Sequence, residues 1–173
     1  MEFFCIFIVM KPSKVIKKEI TIRVCHDVSQ LTKDEQRLIR EAQASVGQAY
    51  APYSNFKVGS AVLLENGEII RGSNQENAVY PLALCAERVA LFAAGSQFPD
   101  IPIVAIALTT QKSLKENELP VFPCGSCRQA LIESETRHQH DIELLITGSD
   151  GTVCVMDSVK DILPFAFKGD SLK

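Results

Sequence analysis

The sequence predicts an α/β protein: three layers, α/β/α, around a central mixed five-stranded sheet. Five short stretches rich in branched apolar residues, at 58–64, 68–73, 103–109, 142–147 and 152–156, read as strands. Helical patterns stand before, between and after these stretches, which puts helices on both faces of a sheet. Two of the connections, "NG" at Asn66-Gly67 and "GSDG" from Gly148 to Gly151, are turn-forming and join consecutive strands, so the sheet is mixed rather than wholly parallel.

The elements follow in order. The opening "MEFFCIFIVMKPSK" holds an apolar run, Phe3 to Met10, far short of the roughly 20 residues a spanning helix needs. Glu2 stands where a signal peptide has basic residues, and no small-residue cleavage site follows. A start at Met10 with an added tail ahead of it is the alternative. Lys11 to Lys18 is a basic connector, and Glu19 to Val24 alternates like a short strand. Residues 1–28 are thus expected to form a partly weakly ordered N-terminal extension, and 29–173 a single domain.

Thr32 to Glu35, "TKDE", has the form of a capping box. Leu38, Ile39, Ala42, Val46, Ala49 and Tyr50 follow at helical spacing until Pro52 stops the helix. Asn66-Gly67, between the strands Val58–Leu64 and Glu68–Ser73, signals a type I′ turn with positive φ at both residues. Leu84 to Ala94 is helical and predicts Gly95 as its C′ residue. A buried strand follows at Ile103–Thr109, and a helix opens at Gly125 and runs to Glu135. Strands at Ile142–Thr147 and Thr152–Met156 and a short helix at Ser158–Leu163 close the chain.

Bulk properties narrow the function. A chain of 173 residues with 46% hydrophobic and 23% charged residues can bury a core of ordinary size. A net charge of −3 with no basic block argues against a nucleic-acid backbone as partner, and no segment reads as a membrane span. Six cysteines are too few for a disulfide scaffold, and only Cys124 and Cys127 pair locally. A reducing compartment, the cytoplasm, fits that usage. Cys5, Cys25 and Cys154 read as small buried hydrophobes.

The chemistry concentrates in "VFPCGSCRQAL", Val121 to Leu131. A lone C-x-x-C is a redox pair, half of a structural zinc site, or part of a catalytic one. A redox pair belongs early, after the first strand of a βαβ unit, whereas this motif comes late. Cys124 and Cys127 share a helix face and stand at its N-terminus, which favours thiolate, the form that binds metal. If Cys85 lies opposite, three sulfurs converge and a fourth position stays open, the mark of catalytic zinc. Glu87, two residues past Cys85, is placed to take a proton from water there and pass it on. Read alone, it is equally an acidic residue in a helix's first turn.

"CAER", Cys85 to Arg88, with "PCGSCRQ", Pro123 to Gln129, resembles the small zinc-dependent cytidine deaminases of nucleoside salvage, whose signature this is. The likeness extends through "APYSNFKVGSAVL", Ala51 to Leu63, and "GSNQENAVYPL", Gly72 to Leu82, and covers roughly residues 31–167. It implies deamination of cytidine and 2′-deoxycytidine to the uridine products with release of ammonia. It implies one zinc per chain on Cys85, Cys124 and Cys127, with Glu87 as proton shuttle. Asn74 and Glu76 would bond the ribose hydroxyls, Phe56 would pack on the pyrimidine, Ala78 and Tyr80 would line the pocket, and the Ala86 backbone would meet the base. Phe167, with Phe165 as its competitor, would reach a neighbouring subunit's site in a homotetramer. Phe56 as plain core and Asn74 as a turn residue stay open beside those roles. Three thiolates leave a Zn²⁺ site at −1, so Arg88 and Arg128 are expected to donate to sulfur; surface ion pairs are their alternative. Ser60, where the family more often has alanine, is a small departure.

Overall fold

Side-chain alternation along one strand, β4 (Ile103–Thr110), divides the molecule into two cores. Ile106 and Leu108 face one side, Ala105 and Ala107 the other, and each pair lies in a separate buried cluster. The structure, a computed structural model, describes residues 14–111, 120–148 and 150–172. The apolar run Phe3–Met10 lies outside them.

Helix α1 (Lys33–Ser45) covers the alanine side, packing Leu38, Ile39 and Ala42 against Ala61, Ala105, Ala107 and Leu145. Thr32 and Glu35 form the expected capping box at its start. Helices α2 (Ala86–Gln97) and α3 (Gly125–His138) cover the other side through Ala90, Leu91, Ala94, Leu131 and Ile132. The three layers of the predicted fold are therefore present. Between them β2 (Val58–Leu64) and β3 (Ile69–Ser73) form the hairpin, and β5 (Glu143–Thr147) and β6 (Val153–Met156) follow α3.

The sheet has six strands rather than five. Of the alternating segment Glu19–Val24 only the end is strand: β1 (Arg23–Cys25) pairs antiparallel with β6, and residues 19–22 are not part of it. The order is β1-β6-β5-β4-β2-β3, with β4 and β5 parallel and the other pairs antiparallel, a mixed sheet. Since β2 is antiparallel to both β3 and β4, those two run the same way. Helices α2 and α3 are each a crossover returning from the C-terminal end of one of these strands. Both helix N-termini thus open at that end of the sheet, where α/β proteins bind ligands.

Local departures have local causes. The hairpin loop has three residues, with Leu64 N–H bonded to Glu68 O and only Gly67 at positive φ (86°), so the type I′ turn is not formed. Helix α2 runs past Gly95 to Gln97, and α3 runs on to His138, where Gln139 in the left-handed region ends it. α1 stops at Ser45 and passes into a 3₁₀ turn at Val46–Gln48, and the expected closing helix is a 3₁₀ turn at Val159–Ile162. Ser60 is buried and donates to Ala107 O, which absorbs the extra hydroxyl.

Gly72 sets how closely α2 lies on β3. A Cβ there would stand 2.4 Å from both Ala86 O and Ala90 N, backbone atoms that cannot move without the helix. Gly72→Ala should therefore cost about 3 kcal/mol or more, a fall of roughly 6–12 °C in melting temperature. Gly95, inside α2 with nothing within 4 Å of its added Cβ, is the contrast. Gly95→Ala should raise stability by up to about 1 kcal/mol. Thermal melts of the two variants beside the parent check both signs.

Candidate active site

Cys85 is the N-cap of α2, with extended backbone at φ −71° and ψ 153°, and Cys124 is the N-cap of α3 at φ −67° and ψ 165°. Neither caps its helix with its side chain, so both sulfurs are free to point into the crevice between the helices. Cys127 follows one turn into α3 and is fully buried. The Cys85 and Cys124 Sγ atoms lie 3.9 Å apart, those of Cys124 and Cys127 3.5 Å, and all three within 4.8 Å of one another.

That spacing tests the fit to a metal. Zinc–sulfur bonds of about 2.3 Å at tetrahedral angles hold sulfurs about 3.8 Å apart. The observed separations bracket that value without a disulfide, since all three are free thiols. Three ligands leave one tetrahedral position for water or substrate. The Cys127 thiol donating to Cys85, with Arg88 alongside, holds the Cys85 pKa down to about 5. Cys127 is pushed up in return because it is the donor and is buried.

Glu87 lies in the first turn of α2, 5% exposed, on the wall of the same cavity. Burial raises its pKa above the usual carboxylate range, and negative charge on Cys85 adds to that. A carboxyl shifted upward, in hydrogen-bond reach of the cluster, suits a group that must both take and return protons. Arg88 donates to Ala83 O at 3.3 Å and to Cys85 Sγ at 3.7 Å, as expected of a cation balancing thiolate charge. Arg128 spends its donors differently: Nε goes to Pro123 O at 2.7 Å and Nη1 to Ile162 O at 3.0 Å. Its observed contacts brace the loop before Cys124, rather than a sulfur.

The cavity beside the cluster measures about 510 Å³, enough for a small ligand. Phe56, Asn74, Glu76, Cys85, Ala86, Glu87 and Cys124 line it, so most of the residues singled out from sequence meet in one place. Ala78 and Tyr80 do not line it. Both are exposed, and Tyr80 lies on an adjoining hollow, edge-on to Tyr53 with ring centroids 6.1 Å apart. Phe167 is 60% exposed and Phe165 81%, and neither lines the cavity of its own chain.

Asn74 and Glu76 each bond the loop ahead of β2. Asn74 Oδ1 accepts from Val58 N–H and Nδ2 donates to Phe56 O, both at 2.8 Å, which clasps the backbone on either side of Lys57. Glu76 accepts from the Tyr53 and Ser54 N–H groups and from the Ser54 hydroxyl, bonds that lower its pKa and keep it ionised. Asn74 and Glu76 therefore hold the loop that presents Phe56. Ser54, Val58, Leu108, Thr110, Val121 and Phe122 are among the other lining residues and were not singled out from sequence. Ser54 sits inside the quoted "APYSNF", but a hydroxyl in a loop gives no chemical signal until its carboxylate partner is known. Val121 and Phe122 read as apolar filler before a proline.

The family described as "Cytidine and deoxycytidylate deaminase zinc-binding region" matches residues 32–139. The chain is 39% identical over 140 residues to a cytidine deaminase of Halalkalibacterium halodurans, covering 80% of this chain and 98% of that one. It is 35% identical to one from Mycobacterium tuberculosis over 75% and 86% of the two chains. The crystal structure of cytidine deaminase from Burkholderia pseudomallei superposes with a TM-score of 0.67 at 41% identity, covering 79% of this chain and all of the other.

Cys124→Ala removes one of three ligands and should abolish zinc retention together with activity. Cys154, fully buried in the core away from the cavity, should tolerate Cys154→Ala with zinc and activity kept. Metal analysis of the purified variants, expected at about one zinc per chain in the parent, separates the two. An active enzyme without zinc would overturn the ligand set.

Proposed function

This chain belongs to the cytidine and deoxycytidylate deaminase family and deaminates cytidine by hydrolysis, and we propose that Glu87 moves the protons while Cys85, Cys124 and Cys127 hold the zinc ion. One observation carries the proposal: three sulfurs at zinc spacing and a buried carboxylate share one cavity at two helix N-termini. Zinc, when held there, supplies Lewis acidity that lets water give up a proton near neutral pH. Glu87 takes that proton and delivers it to N3 of the pyrimidine as the water oxygen adds at C4. It then takes the remaining proton from that oxygen and gives it to the amine as the C4–N bond breaks and the C4 carbonyl forms. Cytidine and water become uridine and ammonia, and Glu87 ends as it began.

The remaining residues bind and orient. Phe56 offers an aromatic face to the base, and the Ala86 backbone meets its edge. The clasp that Asn74 and Glu76 place on the 53–58 loop sets the distance from that face to the ribose, whose hydroxyls these two residues also bond. 2′-Deoxycytidine is accepted as well. Arg88 offsets thiolate charge, and Arg128 steadies the Cys124 loop. The exposed aromatics Tyr80 and Phe167 fit a homotetramer whose subunits complete each other's sites. Among the described residues no helix is long and apolar enough to cross a membrane, and free thiols suit the cytoplasm.

Among the described residues the lining of the cavity includes no lysine or arginine to repay the desolvation of a phosphate. Cytidine should be turned over in clear preference to its 5′-monophosphate. Ultraviolet-monitored deamination of the two at equal concentration measures the ratio, and comparable rates would overturn the assignment to free nucleosides.

Glu87→Gln preserves size and removes the proton acceptor. General acid–base catalysis is worth about 10²–10⁴ in rate, and Glu87 acts in successive transfers, so kcat should fall by about 10⁴ or more. Zinc content should stay near one per chain and KM should change little, because no ligand and no ribose contact is lost. Steady-state kinetics with parallel metal analysis decides it; retained turnover, or lost zinc, gives Glu87 another role.

A further inference from the structure

One helix holds the chain's C-terminal tail through three polar side chains. Glu135 of α3 is buried, and its Oε1 accepts from Ser158 Oγ at 2.8 Å and Val159 N–H at 3.1 Å, where the tail leaves the sheet. Arg128 holds Ile162 O at 3.0 Å. Gln129 is the last of the three: its Nε2 donates to Phe167 O at 2.7 Å, and its Oε1 accepts from Phe167 N–H at 3.2 Å. A side-chain amide carries donor and acceptor on one planar group, so it can pair with both backbone groups of one residue as a neighbouring strand would.

Side-chain packing does not fix the tail aromatics. Leu163 and Ala166 rest against the core, but Phe165 and Phe167 stand mostly in solvent. The Gln129 amide therefore sets the backbone at Phe167, from a position two residues beyond Cys127 on the same helix. Gln129 belongs to the "PCGSCRQ" motif, yet it neither lines the cavity nor joins the sulfur cluster.

We propose that Gln129 is a positioning residue that splints Phe167 to the helix bearing Cys127, so that the ring is presented at a set distance and direction from the metal centre. Gln129 acts on substrate only through Phe167, and this rests on the reading of Phe167 as a substrate contact. The splint makes the tail and the metal helix one rigid unit for whichever site the ring enters.

Gln129→Leu removes both bonds, and Gln129→Glu keeps the acceptor but loses the donor at neutral pH. A typical hydrogen bond contributes about 0.5–1.5 kcal/mol, so deuterium exchange of the zinc-loaded tail around Phe167 should speed by roughly three- to tenfold in Gln129→Leu, and less in Gln129→Glu. KM for cytidine should rise by a similar factor, with kcat within about twofold and zinc unchanged. In a Phe167→Ala background, Gln129→Leu should add almost nothing to KM. Unchanged exchange at the tail overturns the splint whatever the kinetics. Additive KM effects, or loss of zinc or kcat in Gln129→Leu, overturn action through Phe167. If Phe167→Ala leaves KM at the parent value while exchange still quickens in Gln129→Leu, the substrate role of Phe167 falls and the splint's part in binding falls with it.

Discussion

Two helix N-termini must meet within a few ångströms for this protein to have a site at all. Cys85 and Cys124 cap α2 and α3, and the distance between their sulfurs, 3.9 Å, is set by how the helices lie on the sheet. Both helices return from the C-terminal ends of strands that run the same way, so their positive ends converge there with no further device. Gly72 lets α2 approach β3 to backbone contact, and Gly59 does the same for α1 on the other face, where a Cβ would stand 2.2 Å from Ala42 O. The metal cluster is thus a consequence of close-packed layers. Thickening either interface by one methyl group would act on the sulfurs through rigid elements.

Charge is the second constraint. Thiolates and a carboxylate crowd one partly buried pocket, and like charges there oppose full ionisation. The helix N-termini and Arg88 relieve part of the cost, and Arg88 Nε is buried without a protein partner, next to the cluster it serves. Burial holds the Glu87 proton more tightly than water would, the opposite of what hydrogen bonds do for Glu76. Two glutamates on one cavity wall are thereby shifted in opposite directions by environment alone.

The substrate wall is built from polar residues that serve the backbone as well. Asn74 and Glu76 follow strand β3 and grip the loop ahead of β2, so the Phe56 loop and these two polar groups are tied together. On the opposite flank, α3 grips the tail by its own polar side chains, Glu135, Arg128 and Gln129. Rigid secondary structure carries the metal. Loops carry the recognition, and amide and carboxylate side chains tie each loop to the nearest rigid element.

By itself the sequence determined the layers, the order of strands and helices along the chain, and the three cysteines that the structure clusters. Those are written in local signals: period-2 and period-3.6 patterns, a capping box at Thr32, and cysteines at a spacing that puts two on one helix face. Tertiary structure alone decided the rest. Whether Cys85 faces the pair at 124 and 127 depends on a contact across 39 residues. The sixth strand exists because β6 leaves an edge that Arg23–Cys25 can pair with. Arg128 reaches carbonyls rather than a sulfur because Ile162 comes back beside it, and Tyr80 and Phe167 do not line the cavity of their own chain. Local patterns fix how a segment folds and which atoms it offers. Which atoms meet depends on how segments distant in sequence pack.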